Sequence, residues 1–232
     1  MSVRYNETSI TTYTLMKAYE KISIGLPVSK ETRSESVLKM ISYHEIGHAI
    51  IVSMFDDMFT LQKVTIQSNK NGAGGYTLFL PKEPYTSFPS KRFLLANIMI
   101  ALGGRVAEQI YFKHNSSVQG WFEPIKDLDI TTGASNDLKQ ARKIAKNYVE
   151  LFKCIGKYEY SNDVRLSEYS KREIEKEIEG IIMFCYEKVE EMMRTKEYVL
   201  HDLSLQLLNE YSLTSASFNN STQINYVILM DN

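Results

Sequence analysis

Cysteine is nearly missing from this chain of 232 residues. Two residues, Cys154 and Cys185, are too few for a disulfide framework and have no paired metal spacing. Both stand in stretches that read as helix, so buried, reduced thiols are expected. An excess of charge of one sign is missing too. The 27 Lys and Arg residues against 28 Asp and Glu leave a formal net charge of -1, which gives no reason to expect a nucleic-acid partner or an acidic substrate. Long hydrophobic runs are also absent: the longest nearly uncharged one, residues 93–104, is about half of what a membrane span needs. The start, MSVRYNETSI, is polar and lacks the apolar core of a signal peptide. The expectation is a soluble, intracellular chain with no membrane span. Its Asn-x-Ser/Thr sites at Asn6, Asn115 and Asn220 mean little without secretion.

What is present suits one folded domain with modest extensions. The apolar fraction of 44% and the charged fraction of 24% are those of an ordinary globular protein. A helix is expected over residues 11–24, with Leu15, Ala18, Tyr19 and Ile22 at helical spacing and Gly25-Leu26-Pro27 as its stop. Thr32 and Glu35 have the T-x-x-E spacing of a capping box, just ahead of a helix from Val37 to Phe55. Two β-rich stretches, 63–67 and 76–80, flank SNKNGAGG and predict a hairpin with a long Gly/Asn turn. Further helices are expected at about 90–112, 135–152, 170–194 and 196–211, with a loop over 113–130 that holds Trp121 and Pro124. The tail from Ser212 carries no assignable pattern. The fold class is mainly α, a helical bundle with a small β-hairpin beside the helix that holds the most informative motif.

That motif is H-E-x-x-H at residues 44–48. Residues four apart share a helix face, so His44 and His48 can aim one ring nitrogen each at a single point, at the zinc–nitrogen distance of about 2.0–2.1 Å. Glu45, adjacent to the first ligand, can flank the metal and shuttle a proton between an activated water and a leaving amine. Gly47 costs a helix roughly 1 kcal/mol relative to alanine, which suggests close approach of another element. Catalytic zinc usually takes three protein ligands. His114 and His201 are candidates by type, and Glu108, Asp127, Asp129 and Asp137 by charge. A ligand must be rigidly placed, which favours the helix-borne acids Glu108 and Asp137 over those in the loop. Spacing does not choose between the two.

Three separated motifs, SYHEIGHAI at 42–50, ALGGRVAEQI at 101–110 and TTGASNDL at 131–138, resemble the peptidase domain of the FtsH-type AAA proteases. So does the helical stretch at 172–193, and the similarity extends over about residues 13–214. The resemblance implies a zinc endopeptidase acting on unfolded proteins or peptides. It implies Asp137 as the third metal ligand beside His44 and His48, and a supporting role for Glu108 near the histidines. It also implies an edge strand at Gly75, Tyr76, Thr77 and Leu78 against which an extended substrate pairs. By the same resemblance, residues 1–33 look like the end of an ATPase lid with its linker and 34–214 like the peptidase domain, with 215–232 unassigned. The family forms six-fold rings, which implies a homo-hexamer or co-assembly with an FtsH-like ATPase partner. An auxiliary subunit of such an assembly is the alternative to an active peptidase. The family's P-loop signature, G-x-x-x-x-G-K-[ST], does not occur here, and the loop at 113–130 is longer than the family norm.

Overall fold

The computed structural model describes residues 9–26, 28, 31–70, 72–115, 131–153 and 168–219. Cys154, Asp127, Asp129, Trp121, Pro124, Asn6 and Asn220 lie outside them.

Helix α1 (Thr12–Tyr19) runs into a π-helical turn, Glu20–Ile24. The next helix, α2 (Glu35–Ser53), carries the H-E-x-x-H motif. Its cap sits two residues later than the T-x-x-E spacing suggests: Ser34 is the N-cap and accepts from the Val37 amide. The Glu31 carboxylate takes the amides of Thr32 and Arg33, which holds those residues outside the helix.

Strands β1 (Phe59–Thr65) and β2 (Tyr76–Pro81) form the expected antiparallel hairpin, with a register shift between Leu61 and Lys63. A third strand, β3 (Ser212–Thr214), was not foreseen. It pairs antiparallel with β1, Lys63 opposite Thr214 and Thr65 opposite Ser212, giving the sheet order β2-β1-β3. Between these strands in sequence come α3 (Lys91–Asn115), α4 (Ser135–Tyr148) with a π-helical turn at Val149–Lys153, α5 (Glu168–Arg194) and α6 (Glu197–Glu210). The fold is mainly helical with one small sheet, as the sequence predicts.

The core lies where α2 and α3 cross. Ile46, Ala49, Ile51, Ile98, Leu102 and Ala107 are fully or almost fully buried there. Gly47 meets Gly103 at the crossing point. A Cβ on Gly47 would stand 2.5 Å from both the Gly103 carbonyl oxygen and Ala107 Cβ, so any side chain would force the helices apart. That is the close approach Gly47 suggests from sequence. Helix α3 is long and apolar enough to cross a membrane by length and composition. Here it packs against α2, α4 and α5 and carries the buried Glu108, so its apolar faces belong to the interior. Cys185 is also buried, and burial pushes its thiol up to about 12. It is an inert core residue.

Candidate metal centre

Helix α2 presents His44 and His48 one turn apart, their rings edge to face. Each ring is held by its other nitrogen. His48 Nδ1 donates to the carbonyl of Ile100 at 2.7 Å, and His44 Nδ1 donates to Glu108 Oε1 at 2.8 Å. Both acceptors come from α3. They leave each Nε2 facing the same point, with the orientation a metal-binding imidazole needs.

Asp137, in the first turn of α4, completes a triangle. His44 Nε2 and His48 Nε2 are 3.1 Å apart, and Asp137 Oδ2 lies 3.3 Å from the first and 3.7 Å from the second. Two ligands each about 2.0–2.1 Å from a tetrahedral zinc stand roughly 3.3–3.4 Å apart. The three separations bracket that value, so the donor set fits the ion in both type and spacing. Electrostatics agree. Burial opposes charge on His44, but hydrogen bonds to Asp137 and Glu108 outweigh it and push the imidazole up to about 10. Burial works against the charge of Asp137 too, yet the two histidines hold its carboxyl well below the ordinary carboxylate range. A position that favours positive charge so strongly suits a cation, whose binding releases the proton.

Space for that cation depends on a residue the sequence reading passed over. A Cβ on Gly104 would lie 2.5 Å from His44 Cε1 and 2.6 Å from His48 Nε2. The available signal is the glycine pair inside ALGGR, since each glycine costs a helix about 1 kcal/mol. Glu108 is almost fully buried and also accepts from Thr131 Oγ1 at 3.4 Å, which ties the segment leading into α4 to the ring of His44.

Glu45 lies beside this cluster and is buried. Burial raises its carboxyl above the usual range, against the pull of His44, His48 and Thr77. The hydroxyl of Thr77 on β2 lies 2.9 Å from Glu45 Oε2. A Cβ on Gly75 would stand only 3.0 Å from Glu45 Oε1, so the carboxylate rests between the Thr77 hydroxyl and the bare backbone of Gly75. The hairpin thus forms the seat of Glu45.

A cleft of about 770 Å³ opens over these residues, lined by His44, Glu45, His48, Glu108 and Asp137 together with Gly75, Tyr76 and Thr77. Leu78 is buried and does not line it. Strand β2 is at the end of the sheet order, so its outer edge has no strand partner among the described residues. A second cavity of about 620 Å³, between the end of α2, β1 and the start of α6, contains none of these groups. The other candidate histidines lie elsewhere. His114 is exposed and pairs with Glu197 at 2.6 Å, and His201 Nδ1 is 2.5 Å from the Tyr43 hydroxyl.

The model of peptidase family M41 matches residues 31–220 of this chain, a range that contains the whole triangle, Glu45 and the hairpin. The chain belongs to peptidase family M41. Among its relatives, the ATP-dependent zinc metalloprotease FtsH of Aster yellows witches'-broom phytoplasma (strain AYWB) is 33% identical over 213 residues, covering 90% of this chain and 29% of that protein. The FtsH of Acholeplasma laidlawii (strain PG-8A) is 31% identical over 229 residues, 92% of this chain and 33% of the relative. That of Caldicellulosiruptor bescii is 30% identical over 234 residues, 94% and 35%. The M41 chain therefore spans about a third of the length of the curated relatives it matches.

Proposed function

We propose that this M41 chain is a zinc metalloendopeptidase that hydrolyses peptide bonds of unfolded proteins or peptides. His44, His48 and Asp137 hold the zinc, and Glu45 is the general base. The observation that carries this reading is the triangle of His44 Nε2, His48 Nε2 and Asp137 Oδ2 at zinc-ligand separations, with the buried Glu45 beside it. Zinc, when bound, supplies Lewis acidity toward a water and the scissile carbonyl.

The remaining chemistry belongs to the chain. Glu45 takes a proton from the attacking water and returns it to the leaving amine. Thr77 and Gly75 fix where its oxygens lie. Glu108 and the Ile100 carbonyl orient the two imidazoles. An extended peptide pairs along the open edge of β2 and is recognised by its backbone, which accounts for a broad choice of sequences. The ATP dependence in the names of the relatives belongs to proteins about three times as long. We read this chain's share as the hydrolytic one, working within a ring of its own copies or with an ATPase-bearing partner.

Glu45→Gln tests the assignment. The variant keeps stoichiometric zinc and cleaves casein some 10²–10⁴-fold more slowly, the usual contribution of a general base. Casein cleavage at the wild-type rate would remove Glu45 from the mechanism.

A further inference from the structure

The loop that joins β1 to β2 borders the cleft through Gly72–Gly75, and it is fastened from outside the hairpin. Arg33, just ahead of the Ser34 cap, donates from one terminal guanidinium nitrogen to the Gly74 carbonyl at 2.6 Å. From the other it donates to the Ile66 carbonyl at 2.7 Å. These carbonyls stand at opposite ends of the loop. Glu31 grips the remaining edge of the guanidinium, Oε1 accepting from Nε at 2.8 Å and Oε2 from a terminal nitrogen at 2.5 Å. Two backbone ties run parallel: the Val28 amide donates to Ser68 at 2.9 Å, and the Lys70 amide to Leu26 at 2.8 Å. The loop residue after Gly74 is Gly75, whose backbone lies against Glu45.

We infer that Arg33 is a positioning residue of the cleft, drawing the two ends of the 66–74 loop together so that Gly75 and Thr77 hold the carboxylate of Glu45 in place. The inference rests on the peptidase reading of the site. Arg33 does not line the cleft, and its influence passes through loop backbone. The planar fork suits the task because two nitrogens at fixed spacing reach two carbonyls at once, whereas a lysine is a single point of charge. Misplacing a catalytic group by about 1 Å can cost on the order of 10²-fold in rate, so a modest drift of the loop is enough to register.

The test compares wild type with Arg33→Ala and Arg33→Lys in three measurements: bound zinc, casein cleavage per bound zinc, and amide hydrogen exchange across residues 66–76. The expected result is full zinc content, a kcat per bound zinc lowered about tenfold in both variants, and faster exchange in the loop with α2 and α3 unchanged. Arg33→Lys keeps the charge and most of the stem, which guards against general unfolding. An arginine serving only overall stability would lower the melting temperature and leave the rate per bound zinc intact. That outcome, or unchanged loop exchange in Arg33→Ala, overturns the inference. If the wild-type chain itself binds zinc but cleaves nothing, the peptidase reading falls, and the exchange data still decide whether Arg33 holds the loop.

Discussion

The two walls of the cleft are built by different means. On one side, α2, α3 and α4 bring His44, His48, Glu108 and Asp137 together by interior packing, with the glycine crossing setting how close the helices come. On the other, a short hairpin carries Gly75 and Thr77 to Glu45 and is tied down by side-chain and backbone hydrogen bonds from the segment before α2. The helical wall is densely packed and difficult to deform. The hairpin is rooted in the core through Phe59, Leu61, Val64 and Ile66, but the loop that carries Gly75 is held by a few polar contacts, each worth about a kilocalorie per mole. The proposed metal ligands thus sit on the stiffer wall, and the seat of the proposed base on the softer one.

This contrast separates metal binding from rate, and three substitutions probe it. Gly104→Ala has the largest expected effect. Its methyl group would overlap rings already pinned by Glu108 and Ile100, so zinc content measured by atomic absorption should fall to background, and activity with it. Stoichiometric zinc in this variant would show that the helical wall yields more easily than its packing suggests. Next is Glu108→Gln, which weakens the bond that orients His44. Zinc affinity, measured by competition with a chelator, should drop about 10–100-fold, while the rate at saturating zinc changes less. The smallest effect belongs to Thr77→Val, which keeps the shape but removes the hydroxyl at Glu45. Zinc content should stay full, and kcat should fall roughly tenfold, the low end of what one hydrogen bond to a charged group contributes, about 1.5 kcal/mol. Thr77→Ser should restore most of it. Loss of zinc in Thr77→Val would break the separation between the two walls.

The same contrast governs what the sequence discloses. The pairing of His44 and His48 on one face of α2 is legible because their i, i+4 relation is local and needs no knowledge of the fold. The helices and the hairpin are legible for a similar reason, since periodicity and the Gly/Asn turn are short-range signals. Asp137 is not. Its type and its place in a first helical turn leave it level with Glu108 until α4 is docked on α3. Arg33 is further from reach, because its partners are carbonyls of residues 66 and 74, and backbone acceptors leave no trace in side-chain pattern. The cap of α2 is misplaced for a related reason: the amides of Thr32 and Arg33 turn to the carboxylate of Glu31, a contact that the T-x-x-E spacing does not announce. Strand β3 escapes because three residues are too few to show alternation.

That third strand has a consequence for how the chain is made. Residues 212–214 join β1 only after every intervening helix has been synthesised, and the Tyr211 carbonyl then accepts from both the Ile66 amide and the Thr65 hydroxyl. Until that moment the nascent hairpin has open hydrogen-bonding edges on both flanks, the kind of surface on which partly made chains stick to one another. Closing one flank from so far along the sequence is a slow, high-separation contact. Among the described residues the outer edge of β2 keeps no strand partner, and β2 is the strand whose first residues border the cleft.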